Sequence, residues 1–341
     1  MTNHLSGCIA EIALLIYPEC QLAAVHGLTD LFRIASDWSD AGSDRWIRVT
    51  HWAPPAGNSS PELTCTFDTH PGADHQPDYV IVPPSIAMPD KMQSVPAAAK
   101  WLTHQHGRGS RICSVCAGAF VLAESGLIDG RQVTTHWAFA QELSSKYPNV
   151  SVADQHMVLD DGDIITAGGI LAWTDLGLTL VDRLMGPSTM LATARFLLID
   201  PPRQLQRPFS QFIPRFDHGD DSILSVQHHI HAHFADPHSL EELSSVANLG
   251  SRTFLRRFAK ATGLKPTEYV QNVRISKARE HLELTVKTVD QIIWDVGYSD
   301  PAAFRKVSHR LTGLTPNNYR QRFRLVFADK HQEKDARPIS S

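Results

Sequence analysis

Apolar positions along this chain follow two different rhythms. Across residues 8–200, short apolar runs alternate with helical spacing. Ile9–Tyr17, Trp46–Trp52, Asp78–Pro83, Arg111–Val115 and Asp163–Ala167 read as strands. Leu22–Ala35, the CAGAFVLAESG run that opens at Cys116, and Leu171–Leu184 read as helices. The run DYVIVP ends in prolines, as a buried parallel strand would. The alternation predicts an α/β domain, a parallel sheet with helices on both faces. A proline-broken stretch follows, with Pro201, Pro202, Pro208 and Pro214 among Gln204, Gln206 and Ser210, and residues 201–220 are expected to be a linker. From Ser222 to Arg322 the rhythm is purely helical. An all-α domain is expected over 221–326, and the polar stretch 327–341 is expected to fray.

The helical part says the same thing twice. Ser239–Val270 and Thr288–Arg320 each open on a hydroxyl residue with Glu242 or Gln291 three positions on, the signature of a capping box. A short helix follows in each, then a turn: Ala247-Asn248-Leu249-Gly250 and Gly297-Tyr298-Ser299-Asp300. A second helix starts at Ser251 or Pro301 and ends in Thr-Gly-Leu-x-Pro, at Thr262–Pro266 and Thr312–Pro316. Helix, tight turn, helix is the unit that lays its second helix in a DNA major groove. With Phe254, Leu255 and Phe258 assigned to the core, Ser251, Arg252, Thr253, Arg256 and Arg257 fall toward the open side. With Phe304 and Val307 inward, so do Ala302, Ala303, Arg305 and Lys306. Arginine suits guanine edges, and threonine or alanine can meet a thymine methyl. A single such helix would read as an ordinary solvated face; two matched units favour double-stranded DNA.

Charge supports this only mildly. Residues 219–326 hold 15 Lys+Arg against 11 Asp+Glu, whereas the remainder holds 17 against 25. The start MTNHLSGC lacks a basic, then apolar, leader, and no apolar run reaches membrane-span length, so a soluble cytoplasmic protein with no membrane segment is expected. Five cysteines, an odd number confined to the first third of the chain, do not suggest a disulfide framework. Cys113 and Cys116 form C-x-x-C without a second pair at ligand spacing. In HHIHAH, His229 and His233 lie four residues apart, yet no carboxylate sits between them as in H-E-x-x-H. A histidine-rich polar helix face is the reading, with no metal and no cofactor expected.

Residues from about 222 to 325 resemble the DNA-binding domain of the AraC family. Arg274, Ala278 and Leu282 follow its R-x-x-x-A-x-x-x-L rhythm, and Gly297–Phe304 its G-Y-S-D-x-x-x-F run. The resemblance implies two recognition helices on one side of a duplex. Residues 8–200 resemble the PfpI-like, class I glutamine-amidotransferase-like fold, a flavodoxin-like architecture. The whole chain thus resembles the GlxA-like regulators. The segment ICSVCAGAFVLAESGLIDGRQVTTHW, Ile112–Trp137, carries this second likeness. It implies a cysteine, Cys116, on a sharp strand-to-helix elbow, with His136 near the thiol and the helix start lowering its pKa.

Two departures argue against catalysis. The family's acidic residue on the first helix is Ala24 here, and its Gly-Gly oxyanion pair is Pro84-Ser85, where proline has no N–H to offer. Cys116 is therefore open to three readings: a buried structural thiol, part of an effector pocket, or a nucleophile or redox sensor. The pocket reading takes Cys116, His136, Trp137, Trp173 and Ser85 as ligand-binding residues, with aromatic walls suited to an amine or amino-acid-like effector. It makes the chain a non-enzymatic, homodimeric regulator. The alternative is a cysteine-dependent hydrolase or amidase, or a thiol redox sensor, fused to a DNA-binding module.

Overall fold

The structure, a computed structural model, describes residues 6–39, 45–54 and 62–325. The expected tail, 327–341, lies outside them. The chain divides into two compact units, Met1–Gln206 and Arg207–Ser341.

The first unit runs β1 (Cys8–Leu15), α1 (Leu22–Asp37), β2 (Trp46–Ala53), β3 (Thr64–Asp68), β4 (Tyr79–Val82), α2 (Pro96–Gly107), β5 (Arg111–Val115), α3 (Gly118–Glu124), β6 (Gln132–Val133), α4 (Ala140–Lys146), β7 (Ser151–Val152), β8 (Val158–Asp160), β9 (Ile164–Ala167), α5 (Trp173–Met185) and α6 (Pro187–Phe196). Seven strands form one sheet in the order β3-β2-β1-β4-β5-β9-β8. Its five central strands pair in parallel. Their order is that of a flavodoxin-like doubly wound sheet. Strands β4 and β9 are buried at every position, which is why they read as unbroken apolar runs. The two edges, β3 and β8, pair antiparallel. The order reverses between β1 and β4, which opens a crevice beyond the carboxyl ends of those strands.

The second unit runs α7 (Asp221–Ala232), α8 (Leu240–Val246), α9 (Ser251–Thr262), α10 (Pro266–Leu284), α11 (Val289–Asp295), α12 (Pro301–Thr312) and α13 (Pro316–Phe323). It holds two small cores, one around Phe254, Phe258 and Tyr269, the other around Ile292, Phe304 and Tyr319. Helix α10 spans both: Tyr269 and Val273 enter the first, and Ile275, Ala278 and Leu282 the second. Arg274 ties them together, donating from its guanidinium to the carbonyls of Phe234, Asp236 and Gly297, each at 2.8 Å.

The segment 201–220 is shared between the units. Arg203 forms a bidentate pair with the buried carboxylate of Asp175. Gln206 is only 2% exposed. Beyond the boundary, Arg279 donates to the carbonyls of Arg207 and Ser210, and Gln227 to that of Arg215. Among the described residues, no helix is long and apolar enough to cross a membrane.

Candidate functional site

The two helix-turn-helix units are built by the same local devices. Ser239 and Thr288 each accept the N–H of the residue three on, and Glu242 and Gln291 complete the reciprocal bond. Equivalent turn positions are left-handed: Asn248 at φ 53° and Gly297 at φ 79°. A Cβ on Gly297 would overlap the carbonyl of Ala235, so that turn requires glycine. Helices α9 and α12 both end on a left-handed glycine, Gly263 and Gly313. Thr262 and Thr312 then each receive the N–H of the leucine two residues on, and Pro266 and Pro316 start the next helix.

On α9, Ser251, Arg252, Thr253 and Arg256 are exposed; on α12, Ala302, Ala303, Arg305 and Lys306 are exposed. Phe254, Phe258 and Phe304 are fully buried beneath them. Two expectations are corrected. Leu255 is 40% exposed and belongs to the outer face, because Phe254, Phe258 and Ala261 form the inward stripe at i, i+4 and i+7. Arg257 is turned toward Asp220, the N-cap of α7, with Nη2 and Oδ1 2.6 Å apart, so it secures α7 to α9.

In the first unit, Cys116 stands at the end of β5 with φ 55°, the left-handed elbow. Its N–H donates to the carbonyl of Ala167, and its own carbonyl accepts from Thr135 Oγ1, both at 2.8 Å. Gly118 lets α3 start against β4; a Cβ there would press into the carbonyls of Val82 and Pro83. The thiol departs from expectation. It is 2% exposed, and burial pushes its pKa up to about 12. Desolvation of a thiolate outweighs the amide of Ala117, which acts in the opposite direction.

His136 does not complete a pair with it. Its Nδ1 accepts the Ala138 N–H at 3.1 Å, capping the turn that follows, and its ring lies against Trp137 and Phe139. Among the described residues, no hydrogen bond joins it to Cys116. Ser85 is buried on the other side of the crevice, its Oγ donating to the carbonyl of Glu19 and accepting from the N–H of Ala87. Trp173 lays its indole over Gly27 of α1, and its Nε1 is buried without a hydrogen-bond partner. Ala24 is fully buried. Tyr17, which sequence reasoning passed over, donates to the carbonyl of Pro83 at 2.6 Å, and burial pushes its phenol well above the usual range. Gln206, also passed over, fills a niche beside the elbow. Its Nε2 donates to the carbonyls of Thr135 and His156, and its Oε1 accepts the Trp137 N–H.

Comparison with known proteins matches this division. The helix-turn-helix domain family model covers residues 243–322, and the DJ-1/PfpI family model covers 57–183. The chain carries an AraC-type helix-turn-helix domain and a DJ-1/PfpI domain, the make-up of AraC-type transcription regulators. Similar proteins include the transcriptional regulator CdhR of Pseudomonas aeruginosa, 28% identical over 228 residues, spanning 66% of this chain and 67% of that one. The transcriptional regulator GlxA of Rhizobium meliloti is 28% identical over 217 residues, 63% of this chain and 66% of its own. The chain thus spans about two thirds of the length of these relatives. The crystal structure of Drosophila melanogaster DJ-1beta aligns with 56% of this chain and 98% of its own, at 21% identity and a TM-score of 0.43.

Proposed function

We propose that this regulator reads an operator with α9 and α12 and answers to a small amine or amino-acid-like metabolite in its first unit, without turning it over. The DNA contacts on this reading are Ser251, Arg252, Thr253, Arg256, Ala302, Ala303, Arg305 and Lys306. Each lies on an exposed helix face directly above a buried phenylalanine. The effector site is the crevice beyond β1, β4 and β5, drawing on Cys116, His136, Trp137, Trp173 and Ser85. The unpartnered indole N–H of Trp173 is a donor available to such a ligand. The proposed assembly is a homodimer, matching paired half-sites.

The observation that carries the non-enzymatic reading is the Cys116 thiol, buried, with burial pushing its pKa up to about 12, and with no imidazole among the described residues hydrogen-bonded to it. A nucleophilic cysteine needs the opposite, a thiolate favoured by an adjacent base or positive charge. Effector and operator must then be coupled reciprocally, each changing the other's affinity by the same factor. The test is calorimetric titration of candidate amines into the full chain with and without operator DNA, with product assayed in parallel. Affinities that differ between the two titrations, with no product, are expected. Identical affinities would remove the coupling, and turnover abolished by Cys116→Ser would make the protein an enzyme.

A further inference from the structure

The sequence offers His229 and His233 as a histidine pair, which falls at the last turn and C-cap of α7; the fold offers a different grouping. His238 lies on the connection that leads into α8, and Glu242 is in the first turn of α8. Donor atoms of His229, His238 and Glu242 all lie within 4.8 Å of one another. His229 Nε2 is 3.3 Å from Glu242 Oε1, and the rings of His229 and His238 are 5.7 Å apart. Both ring nitrogens of His238 are buried, and neither has a hydrogen-bond partner. A half-buried imidazole with both nitrogens shielded leaves a donor and a lone pair unused, which native proteins rarely tolerate without a purpose.

We propose that His229, His238 and Glu242 bind one divalent transition-metal cation, with zinc the ion that best suits two imidazoles and a carboxylate. Tetrahedral zinc with bonds of about 2.0–2.1 Å places its ligand atoms roughly 3.3 Å apart. The His229–Glu242 pair already has that separation. The third donor closes its gap by rotation of His238, whose backbone is not inside a helix. Three protein ligands leave the fourth position to water or an incoming donor. Binding through Oε1 leaves Glu242 Oε2 on the Ser239 N–H, so the capping box survives. The acidic side chains of Glu241 and Glu242 offset the positive end of α8. The ion would clip the end of α7 to the first helix of the first helix-turn-helix unit. His233 stands aside, paired with Asp236 at 3.4 Å.

The test uses the full chain, free of any affinity tag and stripped with a chelator. Zinc is titrated calorimetrically, and cobalt(II) reports the ligand type by its visible spectrum. One equivalent per chain is expected, with tetrahedral cobalt bands and no thiolate-to-cobalt band. That equivalent is expected to be lost in His238→Ala and in Glu242→Gln, which keeps the capping box, and retained in His233→Ala. Far-UV circular dichroism checks that each variant folds, and zinc is expected to raise the melting temperature of the wild type and of His233→Ala but not of His238→Ala or Glu242→Gln. Any of three results would overturn the proposal. The wild type takes up no stoichiometric zinc, both variants bind like the wild type, or the cobalt spectrum is dominated by cysteine ligation.

Discussion

Gln206 lies at the boundary of the first unit, and its removal is the most informative perturbation the structure suggests. Its side chain is buried and meets four groups: the Thr134 hydroxyl at 3.1 Å, the carbonyls of Thr135 and His156 at 2.8 and 2.9 Å, and the Trp137 N–H at 3.2 Å. Gln206→Ala deprives them all. The His156 carbonyl keeps a bond from Thr134 Oγ1, whereas the Trp137 N–H keeps nothing. An unsatisfied buried polar group costs about 1–3 kcal/mol, and the vacated volume adds to that, so roughly 2–4 kcal/mol is expected. In a unit of this size 1 kcal/mol moves the melting temperature by about 2–4 °C, so a fall of roughly 4–16 °C follows.

Tryptophan fluorescence isolates the effect, because six of the seven tryptophans belong to residues 1–206. A two-unit protein need not unfold in one step, so a probe confined to one unit is needed. A partner variant sharpens the test. A Cβ on Gly168 would overlap the Gln206 amide. Gly168→Ala should therefore destabilise the wild type and do little in the Gln206→Ala background, a non-additive pair. A single variant within about 2 °C of wild type, or two variants whose effects simply add, would refute the view that Gln206 is a specific plug.

Other expectations are independent of this one. Arg252→Ala and Arg256→Ala should each weaken specific operator binding by about 1–3 kcal/mol without lowering the melting temperature; unchanged affinity in both would show that the assigned face is wrong. Arg257→Ala should do the reverse, lowering the stability of the second unit through loss of the Asp220 pair, as thermal denaturation would reveal. Cys116 should react with iodoacetamide at neutral pH far more slowly in the folded than in the unfolded chain, and equal rates by peptide mapping would contradict its burial. His51 hydrogen-bonds Thr29 at 2.8 Å, and burial beside His26 holds its pKa down to about 4. The unfolded chain, titrating near 6.5, therefore binds the extra proton first. Stability is full above about pH 6.5 and falls by roughly 3 kcal/mol as pH drops to about 4, a slope that His51→Gln should flatten in urea titrations across that range.

The central strands and the paired helix-turn-helix units were legible because burial on both faces, and repetition of caps and turns, leave marks in composition. Strand β3, Thr64–Asp68, was not legible: as an antiparallel edge it is mostly polar. Helix α2 is not legible because PAAAKWLTHQHG buries two alanines, a glutamine and a single leucine, which give little periodic contrast. Leu255 was misassigned because a leucine beside two phenylalanines looks like core until helical geometry fixes which stripe is inward. The reading of 201–220 as a linker rested on proline density. It could not see that Arg203 and Gln206 find buried partners far away in sequence, or that Arg279 reaches back to the carbonyls of Arg207 and Ser210. His238 was invisible as a ligand for the same reason, since nothing local pairs it with His229.

The elbow shows why geometry and chemistry have to be argued separately. A non-glycine residue at φ 55° is held there only when its surroundings over-determine the backbone. At Cys116 they do so through the hydrogen bond from its N–H to the Ala167 carbonyl, the Thr135 hydroxyl on its own carbonyl, and a helix start where only glycine fits at Gly118. None of these restraints uses the thiol. The elbow therefore persists whether or not the sulfur reacts, and a cysteine at this bend is not by itself evidence of a nucleophile. What the bend does transmit is position. The carbonyl of Cys116 is bonded to Thr135, and the carbonyl of Thr135 to Gln206, the last residue of the first unit. On our reading an effector in the crevice influences DNA binding only as far as its affinity differs between the states of the protein that it selects.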